Sequence, residues 1–276
     1  MRKLLRANFS RMRRDRVFWL LMALMAFFGA STAIANALSI KREGGVWVLD
    51  FTLITYITLA PVLNAVFTSL FVGCDYSSGT LRSKLTAGHR RVSIYLANLI
   101  TCCSAGLAMC LAFIVPHCLL ALPLGGQLQS SPAQLLVYGG LGIALMFAFT
   151  ALFTLIAMLC HNRSYTVAGC ILLAFVLLFI GVLISSALNE PEYLSGYTFS
   201  ENGMTVEEPE TRNPNYVGGV KRQIYEFLQD FTPGGQVIKT SSMDVENAAV
   251  LALYDLLILL ASTGFGILFF RRKDLK

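Results

Sequence analysis

The chain has 276 residues, 55% of them hydrophobic and 14% charged, with a formal net charge of +6. Soluble domains carry about a quarter charged residues, so this composition excludes an ordinary soluble fold. The positive excess is a topological signal, since a nucleic-acid binder would need a soluble basic face and no stretch supplies one.

Residues 1–16, MRKLLRANFSRMRRDR, place Leu4, Leu5, Phe9 and Met12 at helical spacing with arginines around the rest. That pattern predicts an amphipathic helix in the inner headgroup layer; the alternative is a disordered basic arm. Beyond it, residues 17–276 read as one membrane domain of six spans: Val17 to Leu38, Phe51 to Val72, Ile94 to Leu122, Gln134 to Leu159, Thr166 to Leu188 and Ala248 to Phe270. Each is near the roughly 20 apolar residues that cross a bilayer, and each is expected to be helical because lipid offers no partner to a free backbone group. The first span with its basic flank and ASTAIANA imitates a signal peptide, but its apolar run exceeds the roughly 7–15 residues of such segments. Small-residue ladders, Ser104, Ala108 and Ala112 in the third span and Gly140, Ala144 and Ala148 in the fourth, read as helix-packing faces.

Between spans two and three, residues 73–93 read GCDYSSGTLRSKLTAGHRR and onward into the third span. Ser77 or Ser78 can cap a helix running from Gly79 to Ala87, and Gly88 is a favourable left-handed stop. Leu81 and Leu85 share a face flanked by Arg82 and Lys84, giving a two-leucine peg suited to a groove in another protein. Read more blandly, this is a loop whose charges serve only topology. Counting Lys and Arg outside the spans puts sixteen with the termini and the 73–93 and 160–165 loops, and six on the other side. Both termini are therefore expected in the cytoplasm.

The long loop 189–247 holds ten of the sixteen acidic residues. Its first part, through Tyr216, reads as irregular. Val217, Val220, Ile224, Phe227, Leu228 and Phe231 then step at helical spacing until TPGG ends the pattern, predicting an extracellular amphipathic helix before span six. Asp255 is the sole carboxylate within the six spans so drawn, a structural group or a substrate or ion contact. Pro116-His117 marks a kink with a satisfied histidine. Seven cysteines, none in the outer loop, imply no structural disulfide, and no CxxC pair or His cluster offers a metal site. Walker, GxSxG, HExxH and GxGxxG patterns are absent, so the chain has no catalytic residues and binds no cofactor itself.

DYSSGTLRSKLTAGHRRVSIYLANLI resembles the segment between the second and third spans of type-2 ABC transporter permeases, with an acidic residue and an aromatic before Gly-Thr, a basic helix, a further Arg and a Tyr opening the next span. The family's acidic position is often Glu, and here is Asp75. FTPGGQ before the last span and the terminal FFRRKDLK are also similar, so the resemblance covers essentially the whole chain; it is nearest to Gram-positive antimicrobial-peptide or bacteriocin exporter and immunity permeases. It implies a bacterial plasma-membrane subunit working with a second permease copy or homologue and with separate cytoplasmic ATPases that hold ATP and Mg. It further implies coupling to those ATPases through Gly79, Thr80, Leu81, Arg82, Lys84 and Leu85, with Asp75 and Tyr76 fixing the stub against the bundle. The expected function is ATP-driven export of a peptide or amphiphile. The alternatives are an ion-coupled secondary transporter using Asp255, or a membrane sensor or scaffold.

Overall fold

The computed structural model describes residues 1–160, 162–194, 197–200, 203–206 and 211–273. His161, residues 274–276 of the basic tail and residues 195–196, 201–202 and 207–210 of the long loop lie outside it. Helix α1 (Arg2–Arg14) stops at Asp15, whose extended backbone breaks the helix while its carboxylate accepts from Val17 N at 2.9 Å and starts α2. Span one is α2 (Arg16–Glu43), ended by Gly44 and Gly45 at positive φ. Span two joins α3 (Leu49–Ile54) to α4 (Tyr56–Ser77) across Thr55, which keeps right-handed helical dihedrals. The stub is α5 (Thr80–Thr86) and span three is α6 (Arg91–Ala121). Span four, α7 (Pro132–Leu159), opens with Pro at its first position and a reciprocal Ser131/Gln134 capping box. Asn162 caps span five, α8 (Arg163–Leu188), through Ser164 N at 2.9 Å. Span six, the last helix of the chain, runs Ala248–Arg272. The spans are 25 to 31 residues long, each more than the roughly 20 needed to cross a bilayer. Six apolar helices thus make a multi-pass, all-α membrane protein.

Spans two and four are the most enclosed and form the centre. Spans one, five and six keep exposed apolar faces, among them Phe27, Phe175, Phe179, Leu260 and Phe265, as expected of surfaces that meet lipid. Spans one and three approach most closely at Gly29, where an added Cβ would come within 2.3 Å of Phe113 O. The ladder in span four is buried at Ala148 and half-buried at Ala144, as a packing face should be, but Gly140 is exposed with no atom within 4 Å of a Cβ. Spacing identifies a smooth face, but only the bundle decides what covers it.

At the end remote from the termini, the two short connections pair with each other. Gln127 N donates to Trp47 O and Leu49 N to Gln127 O, both at 2.9 Å. Asp50 then accepts from Ser130 N at 2.7 Å and Gln129 N at 3.2 Å, satisfying backbone donors that a loop would otherwise leave open. His117 is a satisfied histidine: Nδ1 lies 3.2 Å from Thr32 Oγ1 and 3.1 Å from Gly29 O, and Nε2 lies 3.1 Å from Thr52 Oγ1.

Two predictions for the long loop are corrected. Its first part contains two short antiparallel ladders, β1 (Tyr193–Leu194) with β4 (Thr211–Arg212) and β2 (Tyr197–Ser200) with β3 (Gly203–Val206), because its sequence there is rich in the β-branched and aromatic residues that favour strands. The second correction concerns TPGG. Helix α9 (Gly219–Phe231) ends there as expected, but the same residues start α10 (Pro233–Ser241), with Pro233 at a first helical position and Thr232 Oγ1 accepting from Gly235 N at 3.3 Å. The glycines are there for contact: a Cβ on Gly234 would fall 1.7 Å from Leu177 O, and one on Gly181 would fall 2.3 Å from Gly234 C. Leu177 lies 11 residues, about 16 Å, in from the end of span five, so α10 folds back into the bundle, while α9 packs beside it with only Gln229 buried. Such backbone is tolerated at depth because protein covers it. Val220, Ile224 and Phe227 on α9 face outward, while Gln229 and Gln236 are buried.

Candidate functional site

The densest polar assembly sits at the end of the bundle that carries both termini. Helix α1 turns Leu4, Asn8 and Met12 inward, residues four apart and so on one face, mainly against span three. Asn8 is 2% exposed and donates from Nδ2 to Asn98 Oδ1 of span three at 2.8 Å. Arg11, one turn on, forms an ion pair with Asp75, donates to Phe71 O at 3.2 Å and stacks 3.7 Å over the Phe71 ring.

Asp75, in the last turn of span two, is fully buried. Its second oxygen accepts from Lys84 Nζ of the stub at 2.9 Å, and Lys84 also reaches Asn8 Oδ1 at 3.4 Å. One carboxylate thus joins α1, span two and α5. A buried charge requires such partners, because leaving it unpaired costs several kcal/mol.

A second knot lies alongside. Tyr76 donates its hydroxyl proton to Met158 O. Lys273, just past span six, donates to Tyr76 Oη and Met158 O at 3.0 Å and to Leu159 O at 2.9 Å. Those carbonyls end span four, where a helix leaves acceptors open and favours a cation. Burial lowers the Lys273 ammonium to a pKa of about 8, partly offset by Cys160 nearby. Arg91, at the start of span three, donates to Phe270 O at 2.9 Å and Arg271 O at 3.3 Å and also to Lys273 O, closing the end of span six.

The stub is shorter and differently faced than its sequence predicts. It is helical over seven residues rather than about nine, entered through Gly79 at φ +67° and left through Gly88 at φ +82°. Neither Ser77 nor Ser78 caps it; Ser78 Oγ lies 2.7 Å from Cys74 O, on the preceding helix. Leu81 is 2% exposed and belongs to the chain's own core, with half-buried Leu85 packed beside it. The expected peg therefore points inward, and what faces outward is Arg82, Ser83, Thr86 and Ala87, with Gly79 and Thr80 intermediate.

Asp255 belongs to neither knot. It lies 17 residues, about 25 Å, before the end of span six, is 1% exposed, and has no hydrogen-bond partner on either oxygen among the described residues. Nor is it the sole carboxylate of the spans: the helix of span two runs Leu49–Ser77 and takes in Asp50 and Asp75, because each has donors that let the helix continue past the apolar block.

Residues 4–181 match the family described as ABC-2 family transporter protein, well over half of the chain. The chain belongs to the ABC-2 family. A search of curated proteins finds no match. Membrane subunits of this family typically have no ATPase activity of their own; they work with a cytoplasmic ATPase and form dimers in the membrane. Among the described residues no group of three His, Cys, Asp or Glu side chains could hold a metal ion.

In this ABC-2 chain the sequence singled out Asp75, Tyr76 and Lys84 but missed their partners Asn8, Arg11 and Lys273, and with them Asn98, which holds Asn8, and Arg91, which closes the end of span six. Asn8 carried a signal: it is the one polar residue at the helical spacing of Leu4 and Met12. Asn98 carried a weaker one, an amide within an apolar span.

Proposed function

We propose that this chain is the membrane subunit of an ATP-driven exporter, with the end bearing the termini in the cytoplasm. ATP and Mg are held by separate ATPase subunits that dock over the stub, and a second permease copy completes the transport unit. The observation that carries this reading is the Asp75 knot. A stub tied through Lys84 and Asp75 to α1 and span two, and through Asn8 to span three, passes a push on its outer face into the bundle instead of bending alone. Gly79 and Gly88 supply hinges at its two ends.

Because Leu81 faces the core, docking is assigned to the exposed Arg82, Ser83 and Thr86 face. Leu81, Leu85, Asp75, Tyr76 and Lys84 then transmit from within. Leu4 and Met12 pack α1 on the bundle, while Leu5 and Phe9, only half-buried, remain available to the headgroup layer. Nucleotide-driven approach of two ATPases would move the stubs and shift the spans between inward and outward openings. An amphiphilic, cationic peptide fits the outer loop, which carries ten acidic and four basic residues.

The test is copurification with a cytoplasmic ABC ATPase from the cell that makes this protein. Arg82→Glu with Ser83→Glu, both exposed, should release the ATPase while the permease remains folded; retention at the wild-type level would reject the docking assignment. A second reading rests on Asp255, whose buried carboxylate has no hydrogen-bond partner among the described residues. If Asp255 drives ion-coupled transport, cargo movement persists without any ATPase and stops in Asp255→Asn.

A further inference from the structure

We propose that the cleft between the start of span one and the start of span five binds the phosphodiester headgroup of an anionic phospholipid. The cleft measures about 320 Å³ and is lined by Arg11, Arg14 and Arg163 with one acid, Asp15, over Val17 and Leu70. Such a volume lies within the roughly 300–1,000 Å³ of small-ligand sites.

Two of these cations lack any acid. Arg11 is committed to Asp75, and Asp15 to the start of α2, but Arg14 and Arg163 have no ion pair or hydrogen-bond acceptor among the described residues. Arg163 also occupies the first turn of span five, which holds no acidic residue. A helix start is the positive end of the peptide dipoles, so a cation there is unfavourable unless an anion joins it. Its position is fixed: a Cβ on Gly73 would approach Arg163 Cγ to 3.3 Å, so the arginine lies directly on span two.

The level of the cleft is that of headgroups. Trp19, half a turn past Val17 on span one and so at nearly the same depth, is 58% exposed with Nε1 donating to Arg13 O at 2.8 Å, the placement favoured by indoles at a membrane interface. Above the arginines, Val62, Val66 and Leu70 follow at intervals of four up span two and are only half-buried, ending at exposed Cys74 in the cleft. Phosphate below and an apolar track above match one molecule, a lipid with a single negative charge. Basic pockets between spans at the cytoplasmic surface commonly take such headgroups. A second copy of the chain fits less well: about a two-fold axis normal to the membrane, the copies would meet at equal depth and set arginines against arginines.

The experiment uses the full chain in lipid nanodiscs of phosphatidylcholine with or without phosphatidylglycerol. Native mass spectrometry counts retained phosphatidylglycerol, and maleimide labelling read by peptide mass reports access to Cys74. Arg14→Gln with Arg163→Gln is compared with Arg2→Gln with Lys3→Gln, which removes the same charge from exposed residues outside the cleft. Wild type and the control should retain phosphatidylglycerol and protect Cys74 in its presence, while the cleft variant should lose about 10- to 30-fold in retention. Equal retention in all three proteins overturns the site, as does equal loss in the control. Protection of Cys74 by inorganic phosphate alone would identify a free anion and reject the lipid. A Cys74–Cys74 crosslink would place a second copy there and reject it equally.

Discussion

Where the chain begins and ends, Arg11, Lys84, Arg91 and Lys273 reach between elements, and each takes a partner that another element supplies. At the opposite end ion pairs such as Lys239–Asp230 and Arg212–Glu192 stay within the long loop, and the contacts that tie the spans are neutral or run to backbone: His117 between two threonines, Asp50 on two loop amides, Gly234 against Leu177. The difference lies in fallback. Thr32 also bonds Phe28 O at 2.9 Å and Thr52 bonds Leu49 O at 2.9 Å, each within its own helix, so neither depends on His117. Among the described residues Asp75 has only Arg11 and Lys84, and Lys84 has only Asp75 and Asn8. One end tolerates loss of a partner; the other forms or fails as a unit, which suits a part that must transmit force.

The largest expected effect comes from breaking the second arrangement. Asp75→Ala leaves Lys84 and Arg11 without their shared carboxylate and should cost about 3–5 kcal/mol. The variant should show a lower melting temperature in detergent and proteolytic exposure of α1 and of the stub together. Digestion of the stub alone would show that Asp75 does not tie the two. Restoring the acid as Asp75→Glu tests the same point from the other side, since the longer carboxylate should recover part of the loss.

His117→Phe probes the contrasting end and should cost only about 1 kcal/mol, the net worth of an ordinary hydrogen bond, since both threonines keep their helical acceptors and the new ring can occupy the stacked place beside Phe113. A loss as large as that from Asp75→Ala, measured in the same detergent, would erase the proposed asymmetry between the ends.

The same asymmetry explains what could be read in advance. Apolar blocks located all six spans to within a few residues, because hydrocarbon imposes length and backbone pairing on any sequence that crosses it. Their ends were less legible: Asp50, Asp75 and the Ser131 cap extend helices through specific partners that hydropathy does not register. Gly88 marked the end of the stub, since a left-handed stop has a strong residue preference, whereas Gly79, read as the first helical residue, is a left-handed entry. Which way Leu81 would face was not readable, because helical spacing says which residues share a side and nothing about the body that covers it. Helix α10 was hidden for a related reason: Pro-Gly-Gly reads as a stop by propensity, whereas here Pro233 opens a helix and the glycines admit span five.

The smallest effect concerns Lys273 and has a definite sign. Its pKa in the folded chain is lowered to about 8, against about 10.4 in the unfolded one. Between those values the unfolded state binds more protons, so stability should rise as pH increases from about 8 to about 10.5, and below pH 8 the full penalty of the desolvated ammonium remains. The gain is modest, well under the size of the bare shift, because the side chain is only half-buried and water screens it. A neutral amine keeps two hydrogens for its three acceptors, so the contact with Tyr76 and the end of span four survives deprotonation. Comparing melting temperatures of wild type and Lys273→Met across that window isolates the contribution: the wild type should gain relative to the variant as pH rises. A relative loss instead would mean that the charge on Lys273, and not its hydrogen bonds, fastens span six to the end of span four.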